Sequence, residues 1–380
     1  MSEPVDVVII GGGIAGAAVA YHLSPHREVM LLERESGLGY HASGRSAAEL
    51  APRFHPPIVR RLVEASFDFL TRPPEGFSDI GLLARRGNLL IAGREKKDRL
   101  AKVFSTESGQ DSRLERLSVK QAIDRAPMLD PRFVADAFYD PDCWDIEADA
   151  LLQGFARGAR KSGASVRTGV EILGGRREHG LWIVATTAGN IHARVVVNAA
   201  GAWADDIGAV FGAGRLGIIP YRRTAIIVDA PGVDVERLPE ICEIDEMFYF
   251  KPDAGRLMVS PADATESPPC DAVPDELDIA YAAHYLEQAT SLRVQHVPHS
   301  WAGLRSFARD RSPVVGWSPQ AEGFFWLAGQ GGHGVQTSPA LGELTARLIL
   351  GKATERFGDL CLALAPARLG RPQTREPDSR

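Results

Sequence analysis

The sequence predicts an α/β fold with an α+β insertion, on three observations. Residues Val5 to Gly16 read VDVVIIGGGIAG, an apolar strand running into a glycine turn and then a helix with small residues on its face. Two further apolar strands, VVVNAAG at 195–201 and GFFWLAG at 323–329, also end in small residues, as parallel strands do where they reach a ligand crevice. Between them, residues 218–300 change to alternating runs such as TAIIVD and MFYFKPDAGRLMVS, the pattern of an antiparallel sheet.

Each element has its own justification. Gly11, Gly13 and Gly16 meet the spacing G-x-G-x-x-G. Gly11 permits a tight turn, Gly13 lets a pyrophosphate approach the backbone, and Gly16 lets helix and strand pack closely. The helix opening at Ile14 directs N–H groups and a positive dipole end at phosphate. Glu33 ends the second apolar run, 20 residues past Gly13, where a carboxylate accepts from a ribose diol. The pattern with its strand, helix and acid reads as a Rossmann-like dinucleotide site. Residues 36–49 (SGLGYHASGRSAAE) form a loop of small and hydroxyl residues that can run close to a cofactor.

Residues 57–71 have the spacing of an amphipathic helix, and 80–92 read as a strand pair around Arg85-Arg86-Gly87-Asn88. A short helix is expected within 115–126, with Ser118 as N-cap and Gln121 three residues later. The stretch 136–149 is acidic, and Asp145, Glu147 and Asp149 read as a solvated edge or helix cap rather than a metal site. A helix over 148–162 and strands at 164–170, 181–187 and 191–198 follow, then a helix opening at Trp203 and Ala204. The hairpin at MFYFKPDAGRLMVS turns at Asp253-Ala254-Gly255, and a helix covers about 275–290. From 301 the parallel-sheet style is expected to resume, with the glycine turn Gly329 to Gly334 and a helix from Ser338 to Leu350. Residues from Pro366 onward read as a frayed tail.

At 380 residues the chain exceeds one compact core. A net charge of -6 without a long basic run argues against nucleic acid or anionic membrane as partner. Four cysteines without metal or C-x-x-C spacing point to a reducing compartment. Neither a signal peptide nor a spanning apolar stretch is visible, so the expected location is cytoplasmic.

With both glycine junctions, NAAGAW, FYFKPDAG and WAGLRSF in view, the sequence resembles the D-amino-acid oxidase superfamily of FAD enzymes, and within it the FAD-dependent D-arginine dehydrogenase type. The resemblance covers nearly the whole chain. It implies an FAD-binding Rossmann-like domain of the glutathione-reductase type, assembled from about 1–52, 147–217 and 301–363. An antiparallel-sheet substrate domain would be made of 53–146 and 218–300, leaving 364–380 as a tail. Gly11, Gly13, Ile14, Ala15 and Gly16 would hold the pyrophosphate, and Glu33 with Arg34 the ribose. His41, Ser43, Gly44, Arg45, Ser46 and Ala48 would run along the flavin. Val170 would touch the adenine, and Ala200, Gly201 and Trp203 would pass under the cofactor. Gly303, Arg305, Gln330, Gly331, Gly332, His333, Gly334, Val335 and Gln336 would line the far side of the flavin ring. No cysteine falls near Arg305, where some sarcosine oxidases attach their flavin, so the FAD is expected to be non-covalent.

The implied reaction is oxidative deamination of a D-amino acid by hydride transfer from the α-carbon to flavin N5. The imino acid then hydrolyses to a 2-oxo acid and ammonia, and a quinone or O2 accepts the electrons. Arg223, Arg305 and Tyr249 match family positions for the substrate carboxylate, a role that suits a planar guanidinium. Glu49, Phe54 and Asn88 stand where the D-arginine type has a histidine, a tyrosine and an acid. The expected substrate is therefore a neutral D-amino acid or a secondary amine rather than D-Arg or D-Lys. His333, Gln336 and Gly303 complete the expected substrate wall. A glycine/sarcosine-type amine oxidase, a 2-hydroxy-acid oxidase and a non-catalytic flavin-binding subunit remain open as alternatives.

Overall fold

The computed structural model describes residues 3–109 and 113–370. One sheet has a parallel centre in the order β9 (Ser165–Arg167), β2 (Val29–Leu32), β1 (Val5–Ile10), β12 (Gly189–Asn198) and β20 (Phe324–Ala328). A meander of β10 (Ile172–Glu178) and β11 (Leu181–Thr186) extends β12 on one side, and β19 (Val314–Trp317) pairs with β20 antiparallel.

Alternation along β1 explains how both faces are buried. Val7 and Ile9 point to one core, and Val8 and Ile10 to another. The first face is covered by α1 (Ile14–Leu23), α2 (Pro57–Thr71), α5 (Ala148–Lys161), α8 (Gly334–Ile349) and the short α9 (Leu360–Leu364). On the second face α6 (Ala204–Val210) and the aromatic cluster of Trp182, Phe211, Phe324 and Trp326 close the core.

The second sheet runs β21 (Gln330–Gly331), β18 (His299–Phe307), β13 (Ile219–Val228), β16 (Arg256–Ser260), β15 (Tyr249–Asp253), β14 (Glu240–Glu243), β5 (Asn88–Ala92), β7 (Asp136–Asp140), β6 (Glu115–Leu117), with β17 (Thr265–Glu266) on β13. Its pairs are antiparallel except β14 with β5. Leu89, Ile91, Ile226, Ile241, Phe250 and Val259 turn to one face, against α4 (Val119–Arg125) and α7 (Glu276–Ala289). Their sequence neighbours turn to the opposite face by the period of two. A small third sheet, β3 (Glu49–Leu50), β8 (Trp144–Ile146) and β4 (Leu83–Arg85), bridges the two, and α3 (Lys97–Glu107) lies beyond β5 and β7.

Several expectations need correction. Residues 80–92 do contain two strands, but β4 and β5 do not pair. Arg86 and Gly87 donate their N–H groups to the Cys143 carbonyl, and the chain crosses from one sheet to another. From 301 the return to parallel pairing is delayed: β18 joins β13 antiparallel in the second sheet, and only β20 pairs β12 in parallel as expected. Of the acids in 136–149, Glu147 and Asp149 are exposed at the start of α5, as expected, but Asp145 and its neighbours Asp140 and Asp142 are not a solvated edge. Asp140 and Asp142 pair with Arg53, and Asp145 with Arg86 and Lys251, all largely shielded from water. The helix expected from Ser338 already begins at Gly334. Nor is the chain frayed from Pro366: Pro366 and Leu369 are buried, and Arg368 pairs with Asp310. Residues 371–380 lie outside the described part. The Ser118–Gln121 capping box forms as expected on α4.

Small residues let α1 and α8 cross closely. A Cβ added to Gly342 would stand 2.7 Å from the Ala18 Cβ and 2.9 Å from its carbonyl carbon, with rigid backbone rather than a flexible side chain to displace. Gly342→Val is therefore expected to lower stability by about 1–3 kcal/mol, the usual cost of overpacking, read from the urea midpoint at unchanged slope.

Candidate functional site

Strands β1 and β12 and the segment after β20 end at the same edge, and their loops open onto one cavity of about 930 Å³. At its near end the Gly11 φ of +107° and the Ala199 carbonyl, which would lie 2.5 Å from an added Cβ, leave room only for glycine. The α1 N-terminus has no cap from its own N-cap residue and no acid in its first turn, so its dipole end carries no neutralising charge of its own. The Ile14 N–H is taken by the Ser43 hydroxyl at 2.9 Å. The Glu33 carboxylate accepts from Gly12 N–H at 2.6 Å and Glu35 N–H at 2.8 Å, which fixes it on the cavity wall.

Gly13, Ile14, Ala15, Arg34, His41, Ser46, Ala48, Val170, Ala200, Gly201 and Trp203 all line this cavity, as expected. Within that set, Arg34 is held over the Trp203 ring at 4.3 Å and pairs with Glu35, which also holds His41. Gly16 and Gly44 do not line it. They lie behind the wall, where a Cβ would meet the Gly11 and Gly39 carbonyl oxygens. Arg45 reaches the wall, but its guanidinium turns away to Asp271 and to the Ala272 and Ala302 carbonyls. It ties the loop before β3 to β18 rather than running along a ligand.

At the far end, Gln330, Gly331, Gly332, His333, Gly334, Val335 and Gln336 line the cavity, and α8 opens there, again with no side-chain cap and no acid in its first turn. Gly332 is required by a neighbour: Arg305 Nη2 and Nε would stand 2.3 and 2.4 Å from an added Cβ, so the guanidinium lies against the bare backbone. Arg305 has no carboxylate partner among the described residues. Burial, then repulsion from Arg223, lowers its pKa to about 10.

Gln336 orders two histidines beside it. Its Oε1 accepts from Ala51 N–H at 3.2 Å, so its amide nitrogen faces His55 Nε2 at 3.2 Å and His333 Nδ1 at 3.4 Å. Both imidazoles present a lone pair there, which puts the His333 proton on Nε2. Burial first, then nearby cations, holds His55 to a pKa of about 4; burial, then His55 and Arg305, holds His333 to about 3.

The cavity-facing side of the second sheet forms the remaining wall. From strand to strand it presents Gly303 and Arg305 on β18, Arg223 and Ala225 on β13, Met258 on β16, Tyr249 on β15, Glu240 and Cys242 on β14, and Asn88 and Leu90 on β5. Arg223 donates Nε–H to the Asp263 carbonyl at 2.8 Å and lies 6.0 Å from the Tyr249 ring centre. Arg222, its neighbour in sequence, pairs with Asp278 at 2.9 Å and is structural. Phe54 lines the cavity from the loop after β3, with its ring against Phe138.

Sequence reasoning identified Glu49 and Asn88 but missed Glu240, Lys251 and His55. The buried Lys251 Nζ donates to the Ala47 carbonyl at 2.5 Å and to Asp145 at 2.7 Å. Burial pulls its pKa down, yet Glu240 and Asp145 raise it on balance. Burial also raises the Glu49 carboxyl and pushes Glu240 beside it well up, where Glu49 raises it further. Lys251 was readable as the same-face neighbour of Tyr249 on one strand; nothing local marked Glu240.

Residues 6–348 match the DAO family, described as FAD dependent oxidoreductase. The chain is 27% identical over 372 residues to glycine oxidase of Geobacillus kaustophilus (strain HTA426), covering 93% of this chain and 95% of that protein. It is 25% identical over 373 residues to mitochondrial dimethylglycine dehydrogenase of Mus musculus, covering 91% of this chain and 42% of that longer protein. The crystal structure of glycine oxidase from Geobacillus kaustophilus superposes with a TM-score of 0.79 at 26% identity, covering 93% of this chain and 96% of that one. FAD is the cofactor, and the residues fit it. Two helix N-termini without a cap from their own N-cap residues and the Glu33 carboxylate share one cavity. Among the described residues no group of His, Cys, Asp and Glu could hold a metal ion, and no helix is long and apolar enough to cross a membrane.

The histidines set an acid limit on stability. His22, His55 and His333 titrate near 4, 4 and 3 when folded, against 6.5 when exposed. Below 6.5 the unfolded chain binds protons that the folded chain refuses, so stability is full above pH 6.5 and falls as pH drops toward 4. Urea midpoints across that window are expected to fall, and His22→Gln to remove about one proton from the slope.

Proposed function

For a chain that belongs to the DAO family of FAD dependent oxidoreductases, we propose oxidation of the C–N bond of a small amino acid, its carboxylate held by Arg305, Arg223 and Tyr249. The observation that carries this reading is Arg305: a guanidinium shielded in the cavity, beside a second guanidinium, with no carboxylate of its own. A buried charge without a partner costs several kcal/mol, and an anionic ligand group removes that cost. Two arginines and a phenol suit one carboxylate, because planar donors bind both oxygens at once.

When bound, FAD supplies the two-electron acceptor. This chain's residues hold and orient the substrate beside it. The Arg305 side chain packs flat on Gly332, which fixes the plane in which it presents its donors. His333 carries its proton on Nε2, so it offers the cavity a donor and not a base. Both Arg305 and His333 raise the local positive potential or donor density at the anchored end, which favours the carboxylate over the ammonium there and leaves the amino group free to lose its proton. The α8 N-terminus adds a positive dipole end to the same region, suited to stabilising negative charge that develops during oxidation.

A D-amino acid is the leading substrate, yielding the imino acid and then a 2-oxo acid and ammonia. A second reading, oxidation of glycine or an N-methylated glycine, is supported by the names of the relatives, glycine oxidase and dimethylglycine dehydrogenase. Anaerobic reduction of the bound flavin by both enantiomers of each amino acid, glycine and sarcosine separates the two; reduction only by 2-hydroxy acids would overturn both. Arg305→Ala is expected to retain flavin and lose about 2–5 kcal/mol of substrate recognition, a fall in kcat/KM of roughly 30- to 5,000-fold.

A further inference from the structure

A second pocket, of about 610 Å³, opens on the outer side of the loop that carries Tyr40 and Arg45. Tyr40, Arg45 and Ala272 line both this pocket and the cofactor cavity, so one layer of residues separates the two. That layer is fastened in place. Arg45 pairs with Asp271 at 2.5 Å and donates to the Ala272 and Ala302 carbonyls, and the Tyr40 hydroxyl donates to Asp271 at 3.0 Å. Strand register builds the floor. Ile227 pairs with His299 and Ala225 with Trp301 across β13 and β18, which sets these side chains on one face of the second sheet. Ala225 and Met258 belong to the same small apolar cluster as Ile227 and Trp301, and they line the cofactor cavity. The two spaces are neighbours along one sheet face.

The lining chemistry narrows the occupant. The His299 ring stacks on Trp301 at 5.4 Å with 24° between the planes. The Trp301 Nε1–H donates to the Arg45 carbonyl at 3.1 Å, which fixes the indole. Tyr40 and Val273 line the pocket while 49% and 71% exposed, so apolar surface is left open to water at its mouth. A space of this volume, with aromatic walls and few polar groups, has the usual form of a small-molecule site. Arg45 is neutralised by Asp271, and Asp253 adds a carboxylate at the rim, so the balance of charge disfavours an anion. His299 and the Ser300 hydroxyl offer donors there. The ligand that fits is planar, apolar and uncharged, with ring oxygens that accept hydrogen bonds.

We propose that this pocket binds a quinone headgroup and is the place where electrons leave the enzyme. The inference rests on the FAD chemistry of the family and not on which amine is oxidised. Each ring carbonyl becomes a C–O–H group, which takes two electrons and two protons in all. Both electrons come from the reduced cofactor, which returns to its oxidised form. One proton comes from that cofactor and one from water, passed on by the exposed His299. Molecular oxygen needs no pocket of this size, whereas a ring acceptor does.

The test uses the FAD-loaded enzyme with 2-methyl-1,4-naphthoquinone as the probe. In the oxidised holoenzyme the quinone is expected to quench tryptophan fluorescence to saturation. After anaerobic photoreduction, flavin reoxidation is expected to rise with quinone concentration and then level off. Val273→Glu sets a further carboxylate at the mouth and is expected to raise the apparent Kd about 10-fold or more in both experiments. His299→Ala removes one stacked ring and is expected to raise it about 3- to 10-fold. Flavin absorbance and melting temperature identify a folded holoenzyme in each variant, and a rise in either variant supports the pocket. Absence of saturation in either experiment overturns the proposal. So do two variants that match the unmodified enzyme, a result that would place the quinone in the main cavity. Photoreduction needs no amine, so failure of the amino-acid reading and failure of this one are told apart.

Discussion

The close crossing of α1 and α8 is the contact on which the site depends. Gly342 meets Ala18 without a side chain between them, and Gly334 comes near the Ile14 side chain at the two helix starts. Two helix N-termini from opposite ends of the chain are thereby set side by side, at the carboxyl edge of the strands that precede them. An elongated anionic cofactor can then meet one positive dipole end at each of its halves. A bulkier crossing would separate the two loops and divide the cavity.

The second sheet contributes by alternation alone. One set of residues packs on α4 and α7 and stabilises the sheet; the next set along each strand meets the cavity. The cavity face can therefore be polar without weakening the core behind it. It carries an uneven distribution of charge: guanidinium groups on β18 and β13 without a carboxylate partner among the described residues, and carboxyl groups at β14 and β3. Between them Lys251, Asp145 and Arg86 form a chain of ion pairs that ties β15 to β8 and to the turn before β5. Burying such groups adds little to stability and often opposes it.

How much of this was legible beforehand depended on the range of the interaction. The glycine fingerprint, Glu33, the second glycine turn and the capping box of Ser118 with Gln121 are local patterns. Each residue type there is demanded by the backbone a few positions away, and the structure builds both glycine turns, sets Glu33 on the cavity wall and forms the capping box. Gly16 makes the close helix–strand contact expected of it, against Gly11 and Ile9, but it and Gly44 were also read as ligand contacts because spacing does not show which side of a turn faces a cavity. Asp145 was read as solvated, with Glu147 and Asp149, because its partners Arg86 and Lys251 lie far away in sequence. Likewise β18 was assigned to the parallel sheet because an apolar run does not show which strand it will meet.

The sequence by itself determined the family and the cofactor, since these follow from motifs whose backbone demands are short-range. Only the tertiary structure decided that Arg305 lies against Gly332 with no carboxylate partner among the described residues, that Gln336 orders two neutral histidines, and that Glu240 lies beside Glu49. Those are contacts between residues tens to hundreds of positions apart. Burial and pairing, which set whether a charge is satisfied or left for a ligand, exist only once the sheets have closed around the cavity.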